Sequence, residues 1–157
     1  MKIQGVTNFS YQEFFSPDYF KKWKGTPYWL INSIDYQLPH LAQFIRDRYQ
    51  GNAVTICNWL WRVENDYPYD YSGFREVECK EGSKVSRHRL GKCIDVKVAN
   101  VTPQEIQLDI KNNFLQFNSM GLTAIEEDTP TWTHLSVEDT DWRREDGLYI
   151  APNLNKK

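Results

Sequence analysis

No apolar run in this chain approaches the roughly 20 residues that a membrane-spanning helix requires, which excludes an integral membrane protein of that kind. The opening stretch, Met1 to Phe15, also lacks the apolar core of a secretory leader, so the expectation is a chain made in the cytoplasm without a signal peptide and with no membrane partner. Cysteine is scarce. Cys57, Cys79 and Cys93 are odd in number and form no CxxC pair, which argues against a disulfide framework and a cysteine-rich zinc knuckle and leaves reduced thiols as the expectation. An excess of one charge is missing too: 19 Lys and Arg against 21 Asp and Glu give a formal charge of −2, with no long block of either sign. Nucleic acid is therefore not an expected partner, because binding a phosphate backbone needs a basic footprint. Nothing repeats, and no segment is low in complexity.

What is present is apolar and rich in rings. The 157 residues suit one domain, spanning 1–157, and at 40% hydrophobic with six Trp, nine Tyr and eight Phe they can build a core. Within it the punctuation suggests short helices over 1–33, a site-bearing core over 34–142 and a tail over 143–157. Ser10 to Glu13 has the form of a capping box, and Ser16-Pro17 opens a second short helix through Trp23. Leu38, Leu41, Phe44 and Ile45 recur at helical spacing up to about Tyr49. Ala53 to Cys57 reads as a buried strand, and Asn58 to Tyr71 as an aromatic, acidic loop. Cys93 to Val98 alternates, with Ile94, Val96 and Val98 on one face of a half-buried strand and Cys93, Asp95 and Lys97 on the other. Thr102-Pro103-Gln104-Glu105 starts a helix expected to run to about Ser119, where Gly121 stops it. Thr131 to Val137 alternates again, placing Trp132, His134 and Ser136 on one face. Together these elements indicate an α+β domain with an antiparallel sheet and helices packed on it.

Three histidines limit the chemistry. His88 precedes the strand that carries Asp95, and Gly91 between them can take a positive φ, so a turn there would bring the imidazole to the carboxylate. His134, on a separate strand, offers a third donor. Two imidazoles and a carboxylate make an open zinc site of the catalytic kind, in which the metal acidifies a water. By spacing alone, a His and an Asp seven positions apart are more often ordinary polar side chains than metal ligands. His40, inside the third helix with no motif around it, is read as packed or solvated.

Ser86-Arg-His-Arg-Leu-Gly-Lys-Cys-Ile-Asp95 resembles the S-x-H-x-x-G-x-A-x-D signature of the M15-type zinc peptidases. These are D-alanyl-D-alanine carboxypeptidases and dipeptidases, phage endolysins and murein endopeptidases that share a fold with the hedgehog signalling domain. Ser72-Gly-Phe-Arg75 resembles the family's SGYR element, Thr102 to Ile106 the start of its crossing helix, and Trp132 to Val137 the strand of its last histidine, with Trp142 following. The resemblance implies a hedgehog/DD-peptidase-like fold, zinc held by His88, Asp95 and His134, and Arg75 at the substrate carbonyl or carboxylate. Ser86, Tyr71 and Trp132 are the further substrate contacts expected beside it.

The chain departs from the pattern in four places. Cys93 replaces the small alanine, Thr131 stands where relatives place a general base, and Ser136 stands where murein endopeptidases have an aspartate. The Asn58 to Tyr71 stretch also separates the first strand from Ser72. The base is therefore sought in Glu126-Glu127-Asp128, with Glu127 and Asp128 placed ahead of Glu126. Implied overall is a monomeric zinc peptidase that hydrolyses peptidoglycan peptides, reaching the wall after release or as part of a phage virion. The alternative is an inactive zinc-containing binding or virion structural protein on the same scaffold.

Overall fold

The computed structural model describes residues 1–50, 52–57, 71–137 and 147–152. Its element order is α1 (Pro17–Trp23), α2 (Pro27–Asn32), α3 (Gln37–Arg48), β1 (Val54–Thr55), β2 (Cys93–Val98), α4 (Pro103–Asn112), α5 (Phe114–Ser119), β3 (Ala124–Glu126), β4 (Thr133–Ser136) and β5 (Tyr149–Ala151). Single 3-10 turns at Tyr11–Phe14 and Arg87–Leu90 complete it. The helix starts follow their caps. Ser16 Oγ accepts from the Tyr19 amide, and Thr102 and Glu105 satisfy one another's backbone N–H groups, which would otherwise be orphaned in a first turn. The single helix expected from Thr102 to Ser119 is divided at Asn113 (φ −128°), whose side chain donates to the Asp109 carbonyl and carboxylate. Such a local side-chain bond competes with continuation of the helix.

The five strands form one sheet in the order β1-β2-β4-β3-β5. All neighbours are antiparallel except β3 and β5, so the sheet is mixed and not wholly antiparallel. About a dozen residues separate β4 from β5, enough for a crossover to the far side of β3, where the strand runs parallel. Residues expected in a tail thus supply an edge strand.

Ile94, Val96 and Val98 face the core with Leu38, Leu41 and Ile45 of α3, Ile106 and Ile110 of α4 and Phe117 of α5. The opposite face of β2 is less open than its alternation suggests: Cys93 is 1% exposed and Asp95 7%. Ser72 to Arg75 and the Arg87–Leu90 turn cover it, because the Asp95 amide donates to the Ser72 carbonyl and the Arg75 amide to that of His88. Among the described residues no helix is long and apolar enough to cross a membrane.

Arg48 ties α3 to α4. Its Nε and Nη2 each donate at 2.5 Å to the Asp109 carboxylate, which also accepts from the Tyr49 hydroxyl. The Arg48 hydrogen bond holds the Asp109 pKa below its ordinary value, so this group contributes stability above the unfolded carboxyl pKa and loses it as pH falls. Asp109→Asn should cost about 1–2 kcal/mol at neutral pH. Thermal melts of parent and variant should converge as the pH drops below about 4, near the unfolded carboxyl value; a gap independent of pH would rule out the ionic contribution.

Candidate metal centre

The site is assembled from three backbone pieces. The first is Ser72-Gly73. Phe74 bonds the Phe14 carbonyl through its amide, and a Cβ on Gly73 would lie 2.1 Å from that same oxygen, so only glycine permits the approach. The Gly73 carbonyl is then 2.8 Å from His88 Nδ1. A carbonyl can only accept, so Nδ1 carries a proton there and Nε2 is the nitrogen turned toward Asp95. The second piece is the Arg87–Leu90 turn, which ends at Gly91 with φ +63°, the reversal between His88 and β2 that the sequence suggests. There is no room for a side chain here either, since a Cβ on Gly91 would stand 2.0 Å from the Ser33 carbonyl oxygen.

The third piece is the β2–β4 ladder, in which Cys93 pairs with Ser136 and Asp95 with His134. Paired residues share a face, so this register gathers all four on the covered side of the sheet. Asp95 lies between the imidazoles: Oδ2 is 3.3 Å from His88 Nε2, and Oδ1 is 2.8 Å from His134 Nδ1. The two rings stand edge to face with centroids 5.2 Å apart. His134 Nε2 is 3.2 Å from Ser136 Oγ, a hydroxyl that can donate or accept and therefore suits either tautomer. One donor atom from each of His88, Cys93 and His134 lies within 4.8 Å of the others, a group able to hold a metal ion.

The electrostatics of the cluster follow from its burial and its opposed charges. Burial alone would depress the His88 pKa, but the Asp95 carboxylate and the Cys93 thiol outweigh it and raise the ring to about 9. His134 is likewise raised against the effect of burial, by Cys93 and by Asp95. Burial would push the Asp95 carboxyl up, yet the two imidazoles hold it well below the usual carboxylate range. The Cys93 thiol is opposed by burial and lowered by the same two rings. A thiol and a carboxylate beside two imidazoles are a donor set that suits a borderline-soft cation, whose binding displaces their protons.

Beside the cluster is a cleft of about 340 Å³ lined by Tyr71, Ser72, Arg75, Glu81, Asp95, Lys97 and Trp132. Tyr71, Arg75 and Trp132, expected at the substrate, all line it. Arg75 Nε donates to the Tyr71 carbonyl at 2.6 Å, and Nη2 is 3.5 Å from Asp95 Oδ2, so the guanidinium bridges cleft and cluster. Ser86 stands just before the Arg87–Leu90 turn, makes no side-chain capping bond to it, and is not among the cleft-lining residues. Lys97 continues the Cys93-Asp95 face, donates to Ser72 Oγ at 3.1 Å, and is lowered to about 8 by burial.

The three acids before β4 separate. Glu127 Oε1 is 2.7 Å from Lys111 Nζ of α4 and lines a different cavity with Phe114 and Leu148. Asp128 is exposed in a left-handed turn at φ +57°. Glu126 belongs with the site: Ala124 pairs with Ser136 and Ile125 with Leu135, so one further step of that register sets Glu126 beside His134. Burial raises the Glu126 carboxyl, which also feels the charges of His134, Asp95 and His88. Thr131, one of the departures from the motif, is exposed. His40 lies against Gly5 and is not a member of the His88, Cys93 and His134 group. Of the aromatic Asn58 to Tyr71 stretch only Tyr71 is among the described residues, and Trp142 also lies outside them.

Cys93, Ser136, Lys97 and Glu126 are the site members that the signature does not announce. A signal for the first three is present in strand alternation, since Cys93, Asp95 and Lys97 share one face and Ser136 shares one with His134. No protein-family model, curated protein or solved structure matches the chain.

Proposed function

We propose that this chain is a zinc-dependent peptidase acting on peptidoglycan peptides. The observation that carries the reading is the convergence of His88, Asp95 and His134 beside a cleft whose wall includes a guanidinium. His88 Nε2, His134 Nδ1 and the Asp95 carboxylate would hold the ion, with the Gly73 carbonyl and Ser136 Oγ fixing the rings from behind. A zinc ion held there supplies Lewis acidity toward a carbonyl and an acidified water.

The chain's own groups do the rest. Arg75 orients a substrate carbonyl or carboxylate in the cleft and donates hydrogen bonds to the oxygen on which negative charge develops. Glu126 takes the proton of the attacking water and returns it to the amine as the C–N bond breaks, leaving one carboxylic acid and one amine. A carboxyl raised by burial is suited to both transfers. Tyr71 and Trp132 give the cleft apolar walls against which a peptide can lie.

Purified sacculi provide the test. Treated with the protein, they should gain free amino groups without gaining reducing sugar ends, and a chelator should stop the reaction until zinc is restored. Arg75→Lys should lower turnover more than tenfold, about 1.4 kcal/mol of transition-state stabilisation, with metal content unchanged. Parental turnover in that variant would remove Arg75 from the reaction. A second reading, a zinc-containing binding or virion protein without turnover, is favoured by the exposed Thr131 at the position where the M15-type peptidases hold an acid. An intact muropeptide profile over several wall chemotypes, with zinc bound, would select it.

A further inference from the structure

We propose that Cys93 Sγ is itself a ligand of the ion, so that the donor set is two imidazoles, one thiolate and one carboxylate. The inference rests on the reading of His88, Asp95 and His134 as a metal centre and adds a donor that the motif does not supply. Three observations carry it.

The first is register. Cys93 precedes Asp95 by two on β2 and pairs across the ladder with Ser136, the residue that bonds His134, so its side chain projects from the same face as Asp95 and next to His134. Burial is the second. Cys93 is 1% exposed and His88 3%, which places the sulfur among the imidazoles and out of solvent. The third is distance: donor atoms of Cys93, His88 and His134 lie within 4.8 Å of one another, and His88 Nε2 is 3.3 Å from the carboxylate. Metal–nitrogen bonds of about 2.0–2.1 Å and metal–sulfur bonds of about 2.3 Å put tetrahedral ligand atoms about 3.3–3.6 Å apart. The cluster needs only a modest contraction around an ion to reach that spacing. Cys57 and Cys79 belong to no such group among the described residues.

A thiolate in the set has a chemical consequence. It draws the preference of the site toward zinc and cobalt and away from the hard ions magnesium and calcium. An alanine at this position leaves three donors and an open place for water, whereas cysteine fills the fourth place of a tetrahedral site, which favours the zinc-containing reading without turnover.

Cobalt reports the sulfur directly, through a near-ultraviolet thiolate-to-metal charge-transfer band distinct from its visible ligand-field bands. The metal-free full chain, kept reduced, is titrated with Co2+. One equivalent should bind with both sets of bands, and excess Mg2+ should not compete. Cys93→Ser should lose the charge-transfer band, keep the visible bands and bind cobalt at least tenfold more weakly, while Cys57→Ser and Cys79→Ser keep the parental spectrum. One equivalent of cobalt bound by the parent without the charge-transfer band overturns the proposal and leaves the His88, Asp95 and His134 centre standing. Persistence of the band in Cys93→Ser also overturns it, by assigning the sulfur elsewhere. Cobalt bound equally by His88→Ala, His134→Ala and the parent, or not bound by the parent at all, overturns the metal centre itself. Where Cys93→Ser fails to fold, a band kept by both Cys57→Ser and Cys79→Ser leaves Cys93 as its source, and a band lost in either overturns the proposal.

Discussion

Alanine at His88 or at His134 should abolish stoichiometric zinc, with affinity falling by more than about a hundredfold. Even residues standing behind a ligand contribute about 10- to 100-fold to metal affinity, and these two imidazoles face the centre directly. His88 is held by the Gly73 carbonyl and His134 by Ser136, so each ring is fixed in its orientation toward Asp95. The same substitutions should destabilise the fold by about 3 kcal/mol or more, because Asp95 would remain buried as a carboxylate short of one cationic partner. Elemental analysis of protein purified without chelator measures the first effect and denaturant titration the second. Unchanged metal in both variants would move the site elsewhere.

Glu126→Gln should lose about 10²- to 10⁴-fold in turnover on peptidoglycan, the usual contribution of a positioned general base, while still binding zinc. Glutamine keeps the shape and removes only the proton acceptor. Glu127→Gln should leave turnover near the parental value, since Glu127 is engaged with Lys111 and lines a separate cavity. Opposite behaviour of the neighbouring pair separates catalysis from a general loss of negative charge, because both substitutions change the net charge equally. If Glu127→Gln or Asp128→Asn were the inactive variant, the β3 turn would have to rearrange on substrate binding. Gln107, whose amide donates to the Glu126 carbonyl and to Thr129 Oγ1, pins the present arrangement. Full activity in all three would place the base beyond this run.

Sequence alone carried the elements whose signals are local. The capping pair Thr102 and Glu105 opens α4 because both residues lie within one turn. The alternation from Cys93 to Val98 divides β2 into a core face and a site face because successive strand residues point opposite ways. Gly91 permits the reversal after His88 because its φ is positive. Those same local rules, with a motif resemblance, named His88, Asp95, His134 and Arg75, which the fold brings together.

Pairing between distant segments decided what remained. The position of β5, parallel to β3 at the sheet edge, depends on a crossover and not on its three residues. The closure of the site face comes from Ser72 and Gly73 pressing between Phe14 and β2, a contact between three stretches remote in sequence. That packing turns an alternating strand that reads as half-exposed into a buried one. The choice among Glu126, Glu127 and Asp128 rested on register as well. Three adjacent carboxylates look alike in a sequence, but each step along a strand reverses the face. Only the pairing of Ala124 with Ser136 and Ile125 with Leu135 specifies that Glu126 stands with His134 while Glu127 turns to Lys111. Cys93 follows the same logic: beside Asp95 in the chain it is one more buried thiol, and opposite Ser136 in the ladder it becomes a donor facing two imidazoles.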